Sequence, residues 1–283
     1  MVETYPVNEY QPDVNHDNSI VFFGQLFDIG VRVVKWYEYR GLNGYLKKKK
    51  VIREEDRKTG KMKTVRVIKG KRYGGRFPRT GRKAVDIRQF MIHHTGGYLP
   101  GVCFNTLHNE RRLSVQFIQA DNGTIYQTMD AKEIAWHGGK QNRCSIGVEC
   151  CLYPRALRNP EAYRPEKCRR LGLTPHETGN VYTQGKHRTV FMMPNNQVEA
   201  LAHLAAGVWF ARNKVAGFIN RAPGFPTRVD EVLPDPDFDT KYRKHNGLVI
   251  HANVAPKKWD ATGLDLEPFE DRVGDIYYSM KAE

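Results

Sequence analysis

The sequence predicts an α/β protein, and three observations carry that prediction. Short runs of β-branched and aromatic residues recur along the chain, separated by Gly, Pro, Asn and Asp. One long stretch, residues 196–213, instead repeats its apolar residues at helical spacing. The chain has 283 residues, 40% hydrophobic and 11% aromatic, which supports a substantial buried core in one large domain, or one domain with an appendage, and argues against wholesale disorder.

Residues 1–18 read as an irregular arm, with Pro6, Pro12 and several Asn and Asp. Strands follow at Ile20-Val21-Phe22-Phe23 and Val31-Arg32-Val33-Val34-Lys35-Trp36, set apart by Gly24 and Gly30. Residues 50–53 and 64–68 form a predicted hairpin around the polar turn Lys58-Thr59-Gly60-Lys61, and the Gly- and Arg-rich residues 71–83 read as an exposed linker. A boundary is expected near Ala84, so that residues 1–83 are an N-terminal arm with a small, basic, β-rich extension and residues 84–283 the principal domain.

That domain begins with a strand over residues 87–93, whose alternation puts Phe90 and Ile92 on one face and Met91 and His93 on the other. A short helix or turn at 104–111 precedes strands at 114–120 and 124–128, joined by the hairpin signal Asp121-Asn122-Gly123. Trp136-His137-Gly138-Gly139 is a loop before the strand 145–152. There Ile146, Val148 and Cys150 face one side, and Ser145, Gly147 and Glu149 the other. A carboxylate beside a residue with no side chain leaves room for a ligand. Residues 153–190 show little periodicity and read as a long surface insertion. In the helix at 196–213, Val198, Leu201, Ala202, Ala205, Val208 and Trp209 face the core, Asn195 or Asn196 caps the start, and Pro194 blocks upstream continuation. Pro-rich coil at 222–238 leads to the strand Leu248-Val249-Ile250, which ends at His251.

The formal charge of +14 is concentrated in one segment. Residues 47–83 hold 17 Lys or Arg and 3 acids, leaving 28 of each sign elsewhere. Such a segment is drawn to phosphates, to an anionic cell envelope with its lipopolysaccharide or wall polymers, or to nucleic acid, and salt weakens the attraction. No apolar run approaches the ~20 residues that cross a bilayer, and the polar, acidic residues 1–10 do not look like a signal peptide. Action outside the cytoplasm would therefore require release or delivery by another agent. The five cysteines, odd in number and without C-x-x-C spacing, read as small buried residues in a reducing compartment.

Met91-Ile92-His93-His94-Thr95-Gly96-Gly97 carries two adjacent imidazoles at the end of an apolar run, a pattern that fits either a metal ligand or a hydrogen-bonded loop. His251, with Lys258 and Asp260 seven and nine residues on, favours the metal. A hydrolytic zinc site takes three N, S or O ligands and leaves one position for water. His93 and His251 each follow an apolar strand and Asp260 lies on the loop after the second, so neighbouring strands would bring all three to one point. Glu149 on the same sheet face is then the candidate to move the water's proton, and Lys258 to sit near the oxyanion of amide hydrolysis.

The stretch 86–260 resembles the zinc-dependent N-acetylmuramoyl-L-alanine amidases, the superfamily of phage lysozyme-type amidases, muropeptide-recycling amidases and peptidoglycan recognition proteins. The resemblance rests on Ile92-His93-His94-Thr95, Phe117-Ile118 through Asp121-Asn122-Gly123-Thr124-Ile125-Tyr126-Gln127, Ala135-Trp136-His137-Gly138-Gly139, Ser145-Ile146-Gly147-Val148-Glu149, and His251 with Lys258 and Asp260. It implies a mixed central β-sheet flanked by helices and cleavage of the bond between the lactyl group of N-acetylmuramic acid and L-alanine of peptidoglycan. It also implies zinc on His93, His251 and Asp260, with Lys258 at the transition state and Glu149 as the base used by recycling-type members. Val115 stands where phage lysozyme-type members have a tyrosine, the Lys and Asp follow His251 one residue sooner than in many relatives, and Ala261 replaces the usual Pro. Trp136, His137 and His94 are assigned to the substrate groove; loop stabilisation is the alternative for His137, and support of the site or packing for His94.

The expected function is bacterial cell-wall lysis by a phage endolysin or a similar delivered enzyme acting on muropeptides. A non-catalytic peptidoglycan-binding relative is the second reading, suggested by Val115. Nucleic-acid binding through residues 47–83 is the third and leaves the ligand set unexplained.

Overall fold

The computed structural model describes residues 16–45, 50–55, 62–68, 82–183, 185–217, 221–225, 245–255 and 257–282. The expected arm at 1–15, the turn at 58–61, the linker up to 81 and most of the Pro-rich coil at 222–238 lie outside them.

A six-stranded mixed sheet forms the centre. Its strands are β3 (Val33–Lys35), β6 (Gln89–His94), β7 (Phe117–Gln119), β8 (Ile125–Gln127), β9 (Ser145–Cys150) and β12 (Gly247–Ile250), in the spatial order β12-β6-β9-β7-β8-β3. Only the β7–β8 pair is antiparallel, closed by the Asp121-Asn122-Gly123 turn. Three two-stranded ribbons are separate from this sheet: β1 (Ser19–Phe22) with β2 (Gln25–Asp28), β4 (Lys50–Glu55) with β5 (Met62–Ile68), and β10 (Thr178–Thr183) with β11 (Lys186–Phe191).

Strand alternation gives the sheet two unlike faces. Phe90, Ile92, Ile146, Val148, Phe117 and Leu248 join the main core beneath α3 (Asn195–Ala216). Met91 and Val249, on the other face, form a small cluster with Val254. Helix α3 buries Leu201, Leu204, Ala205, Val208 and Trp209. It starts after Pro194 and stops at Gly217, whose φ of 72° suits a residue without a Cβ. Against it packs α5 (Leu266–Ala282), through buried Phe269, Val273, Ile276 and Tyr277 and a hydrogen bond from Asn213 Nδ2 to the Tyr277 hydroxyl at 2.8 Å. This second long helix was not expected, although its apolar residues recur at helical spacing.

Two further expectations change. Residues 19–45, assigned to the extension before Ala84, supply edge strand β3 and put Ile20, Phe22, Ile29 and Val33 into the main core. Gly207 of α3 lies so close to Ile29 that a Cβ there would overlap it. The insertion at 153–190 is likewise no surface loop. It folds into α2 (Pro165–Leu171) and the β10–β11 ribbon, and it buries Ala156, Ala162, Tyr163 and Cys168 in the main core. The His176 Nε2 hydrogen bond to Asp121 Oδ1, at 2.5 Å, fastens it to the β7–β8 turn. The turn expected at 104–111 begins earlier, as α1 (Pro100–Phe104) followed by a π-helical turn at Asn105–Arg111. All five cysteines are buried and free.

Candidate metal centre

Parallel pairing aligns the ends of neighbouring strands, which brings distant histidines together. Ile250 pairs with Ile92 across β12 and β6, so the next residues, His251 and His93, emerge side by side. His251 opens a single helical turn, α4 (His251–Val254), and the chain returns through residues 257–264, held by the Ala252 N–H to Asp260 carbonyl bond of 2.6 Å. On the other side of β6, His93 pairs with Glu149 of β9.

Three donor atoms converge. His93 Nδ1 is 3.0 Å from His251 Nδ1, His251 Nδ1 is 2.9 Å from Asp260 Oδ2, and His93 Nδ1 is 3.4 Å from the same oxygen. Ligands about 2.0–2.1 Å from a tetrahedral zinc stand ~3.3 Å apart, so this triangle has the edges and the N/N/O chemistry of a zinc site with a fourth position left for water. These three residues are also the one group among the described residues with metal-ligand clustering.

The charge states suit the same role. Burial pushes the His93 imidazole down to about 4, against the pull of Asp260, which leaves it neutral with a lone pair to donate. Burial works to raise Asp260, but the hydrogen bond from His251 and the adjacent His93 ring outweigh it and hold the carboxyl well below the usual range. Glu149 is the opposite case: burial, reinforced by Asp260, raises it to about 8, with Lys258 and Arg111 pulling the other way. Two carboxyls in one site are thus driven apart, one a permanent anion and one able to gain and lose a proton near neutrality.

The other expected site residues have different surroundings. Lys258 is exposed on the 257–264 loop, its N–H bonded to the Ala255 carbonyl. His137 stands behind His93: its Nδ1 is 3.0 Å from His93 Nε2, and its Nε2 is 3.4 Å from the Ser145 hydroxyl, which donates to the Gln141 carbonyl at 2.8 Å. Gly147 admits that ring, since a Cβ would come within 2.6 Å of it. The space expected beside Glu149 for a ligand therefore holds an imidazole, and His137 braces His93. Burial also keeps His137 neutral, so Nδ1 accepts from His93 while Nε2–H points to Ser145. Trp136 borders a separate cavity of about 140 Å³ with Ile134, Lys140 and Arg143. His94 meets the Trp259 ring edge at 5.3 Å between centroids, and its buried Nε2 has no hydrogen-bond partner among the described residues. Val115 is buried among Cys103, Ile118 and Cys151.

Sequence patterns missed Trp259 with Arg155 and Arg188, whose guanidinium carbons lie 5.8 and 4.9 Å from the indole centroid. An aromatic residue between Lys258 and Asp260 was a visible signal. The two arginines gave none.

Residues 83–216 match the family model described as N-acetylmuramoyl-L-alanine amidase. No curated protein sequence matches the chain. Among solved structures the chain is similar to the E. coli amidase AmiD in complex with anhydro-N-acetylmuramic acid-L-Ala-D-γ-Glu-L-Lys, at 16% identity over 74% of this chain and 63% of that one, TM-score 0.38. It is similar to the endolysin amidase LysCS of Clostridium intestinale, at 13% identity over 69% of this chain and 90% of that one, TM-score 0.39. The third is AmpDh3 of Pseudomonas aeruginosa in complex with anhydromuramic pentapeptide, at 15% identity over 70% and 63%, TM-score 0.38. The chain spans 63% of the length of AmiD and of AmpDh3.

Proposed function

We propose that the protein, whose residues 83–216 match the N-acetylmuramoyl-L-alanine amidase family model, hydrolyses the amide between the N-acetylmuramic acid lactyl group and L-alanine of peptidoglycan, with zinc on His93, His251 and Asp260. The observation that carries the proposal is the His93, His251 and Asp260 triangle with Glu149 on the adjoining strand.

When bound, zinc supplies a water acidified to a pKa of about 7 and a Lewis acid for the carbonyl. His93 and His251 offer Nδ1, and Asp260 offers Oδ2. His137, by accepting from His93 Nε2, keeps the lone pair of His93 on Nδ1. Glu149 takes the proton of the attacking water and returns it to the alanine nitrogen as the C–N bond breaks, giving a lactyl carboxyl and a free amine. A group near neutral pKa suits both transfers. Lys258 is assigned to the negative charge that grows on the carbonyl oxygen. We carry over as substrate class the muropeptide of the AmiD complex, whose stem is L-Ala-D-γ-Glu-L-Lys.

The biological setting we propose is bacterial cell-wall lysis by an endolysin-like enzyme, with the basic residues 47–83 engaging anionic envelope polymers or lipopolysaccharide. Among the described residues no helix is long and apolar enough to cross a membrane. A binding-only protein is the second reading, favoured by Val115 at the expected tyrosine position. Mass spectrometry of muropeptides incubated with the zinc-loaded protein separates the two: free stem peptide is expected, and intact but bound muropeptide would leave only the binding reading.

A further inference from the structure

A patch of cation and aromatic surface next to Asp260 has no acidic partner among the described residues. Trp259 stands between Lys258 and the proposed ligand Asp260, and Arg155 and Arg188 approach its ring at 5.8 and 4.9 Å. Neither guanidinium is paired with a carboxylate among the described residues, and the buried Nε of Arg188 has no hydrogen-bond partner among them. Burying a charged donor without an acceptor is costly, and planar guanidinium forks are shaped for carboxylates.

Both arginines come from the 153–190 segment, and that segment is locked to the ligand loop. The Met193 N–H donates to the Gly263 carbonyl at 2.7 Å, and the Phe191 N–H to the Pro154 carbonyl at 3.1 Å. At Gly263, φ is 93° and a Cβ would come within 2.5 Å of the Phe191 carbonyl oxygen, so the two backbones touch where only glycine fits. Tyr163 stacks on His176, whose ring is pinned by Asp121 and the Met192 carbonyl. The backbone that carries the arginines is therefore fastened to the loop that carries Asp260.

We propose that Arg155 and Arg188, braced on Trp259, form a subsite for a carboxylate of the stem peptide. This rests on the amidase reading, which sets what passes the site. A γ-linked D-glutamate leaves its α-carboxylate free, and it is the second residue from the scissile bond, roughly 7 Å along an extended chain. Trp259 is the residue next to the proposed ligand Asp260, their Cα atoms about 3.8 Å apart across a trans peptide. The substrate group is the D-Glu α-carboxylate, and the 153–190 segment makes the enzyme selective for stems in which it is not amidated.

The test uses the full-length zinc-loaded protein, MurNAc-L-Ala-D-γ-Glu-L-Lys, and the same compound with the D-Glu α-carboxamide. Turnover is followed by mass spectrometry, and binding of the two free tripeptides by tryptophan fluorescence. The wild type is expected to favour the carboxylate form by roughly 10- to 100-fold in kcat/KM. Arg188→Gln should lose that preference by weakening only the carboxylate form, with Arg188→Lys restoring it in part, and Arg155→Gln should act in the same direction. Equal turnover of both substrates by wild type, or an unchanged preference in Arg188→Gln and Arg155→Gln, overturns the subsite. Selective binding of the carboxylate tripeptide without hydrolysis of either substrate would sustain the subsite and sink the amidase reading. Absence of both binding preference and turnover overturns the two together.

Discussion

Glu149 and Asp260 show how far two carboxyls can be separated by their neighbours. Asp260 accepts from His251 with the His93 ring beside it and stays ionised, whereas Glu149, half-buried, has less to offset its desolvation and rises to about 8. Glu149→Gln keeps shape and removes the proton carrier, so kcat should fall by about 10²- to 10⁴-fold while zinc affinity changes little. In the wild type the active form of the base is the carboxylate, so kcat/KM should rise with pH along an acid limb. A bound dication favours that anion and places the limb below about 8, and the limb should be absent from any residual activity of the variant. Full activity in Glu149→Gln would remove it from the mechanism. At this scale the sequence separated His93 from His94 by alternation together with the family resemblance, and marked His251 and Asp260 by their place after an apolar strand as well as by that resemblance. It could not show that His137 braces His93, because that contact joins residues 44 apart through a space opened by Gly147.

The elements that position the site are β6, β9 and β12, and their parallel register turns three separate sequence stretches into one constellation. Gly147 is where that packing meets the site. Gly147→Ala would press a methyl group into the His137 ring, and we expect a loss of about 1–3 kcal/mol in unfolding free energy together with weaker zinc binding, as read by denaturant melts and chelator competition. Unchanged stability and zinc affinity would mean that the ring moves without consequence. Strands were legible because burial on one face imposes a two-residue period, as in β6 and β9. Helix α5 carried an equally regular pattern in Phe269, Val273, Ile276 and Tyr277 but was passed over next to the better-defined α3. The 153–190 segment was misread for a physical reason: its buried residues sit in short elements, none long enough to repeat a period.

Across the whole molecule, the basic segment hid the continuity of the core. Charge falls sharply after residue 83, yet residues 19–45 already belong to the sheet and to the contact with α3. Composition reports where charge lies, and only pairing between β3 and β8 reports where the core ends. Global stability should carry a signature of one buried acid in this region. Glu133 is 4% exposed, its Oε2 has no hydrogen-bond partner among the described residues, and burial together with Asp130 raises its carboxyl to about 7. The native state then holds a proton that the unfolded state has lost between its ordinary value of 4.5 and about 7. Stability contributed by the protonated form is therefore full at low pH, falls as pH rises through that window and levels off above it, by on the order of 3 kcal/mol at most. Glu133→Gln should flatten this slope in chemical denaturation at pH 5 and pH 8; an unchanged slope would assign the pH dependence elsewhere.

The central claim is a zinc amidase built on His93, His251 and Asp260, and its most direct measurement is peptide release from purified muropeptides as zinc is stripped and restored. The account predicts no release from the stripped protein, recovery in proportion to zinc up to one equivalent per chain, and no recovery in Asp260→Ala at that stoichiometry. Undiminished release by the zinc-free protein, or none from the fully loaded wild type, would contradict it.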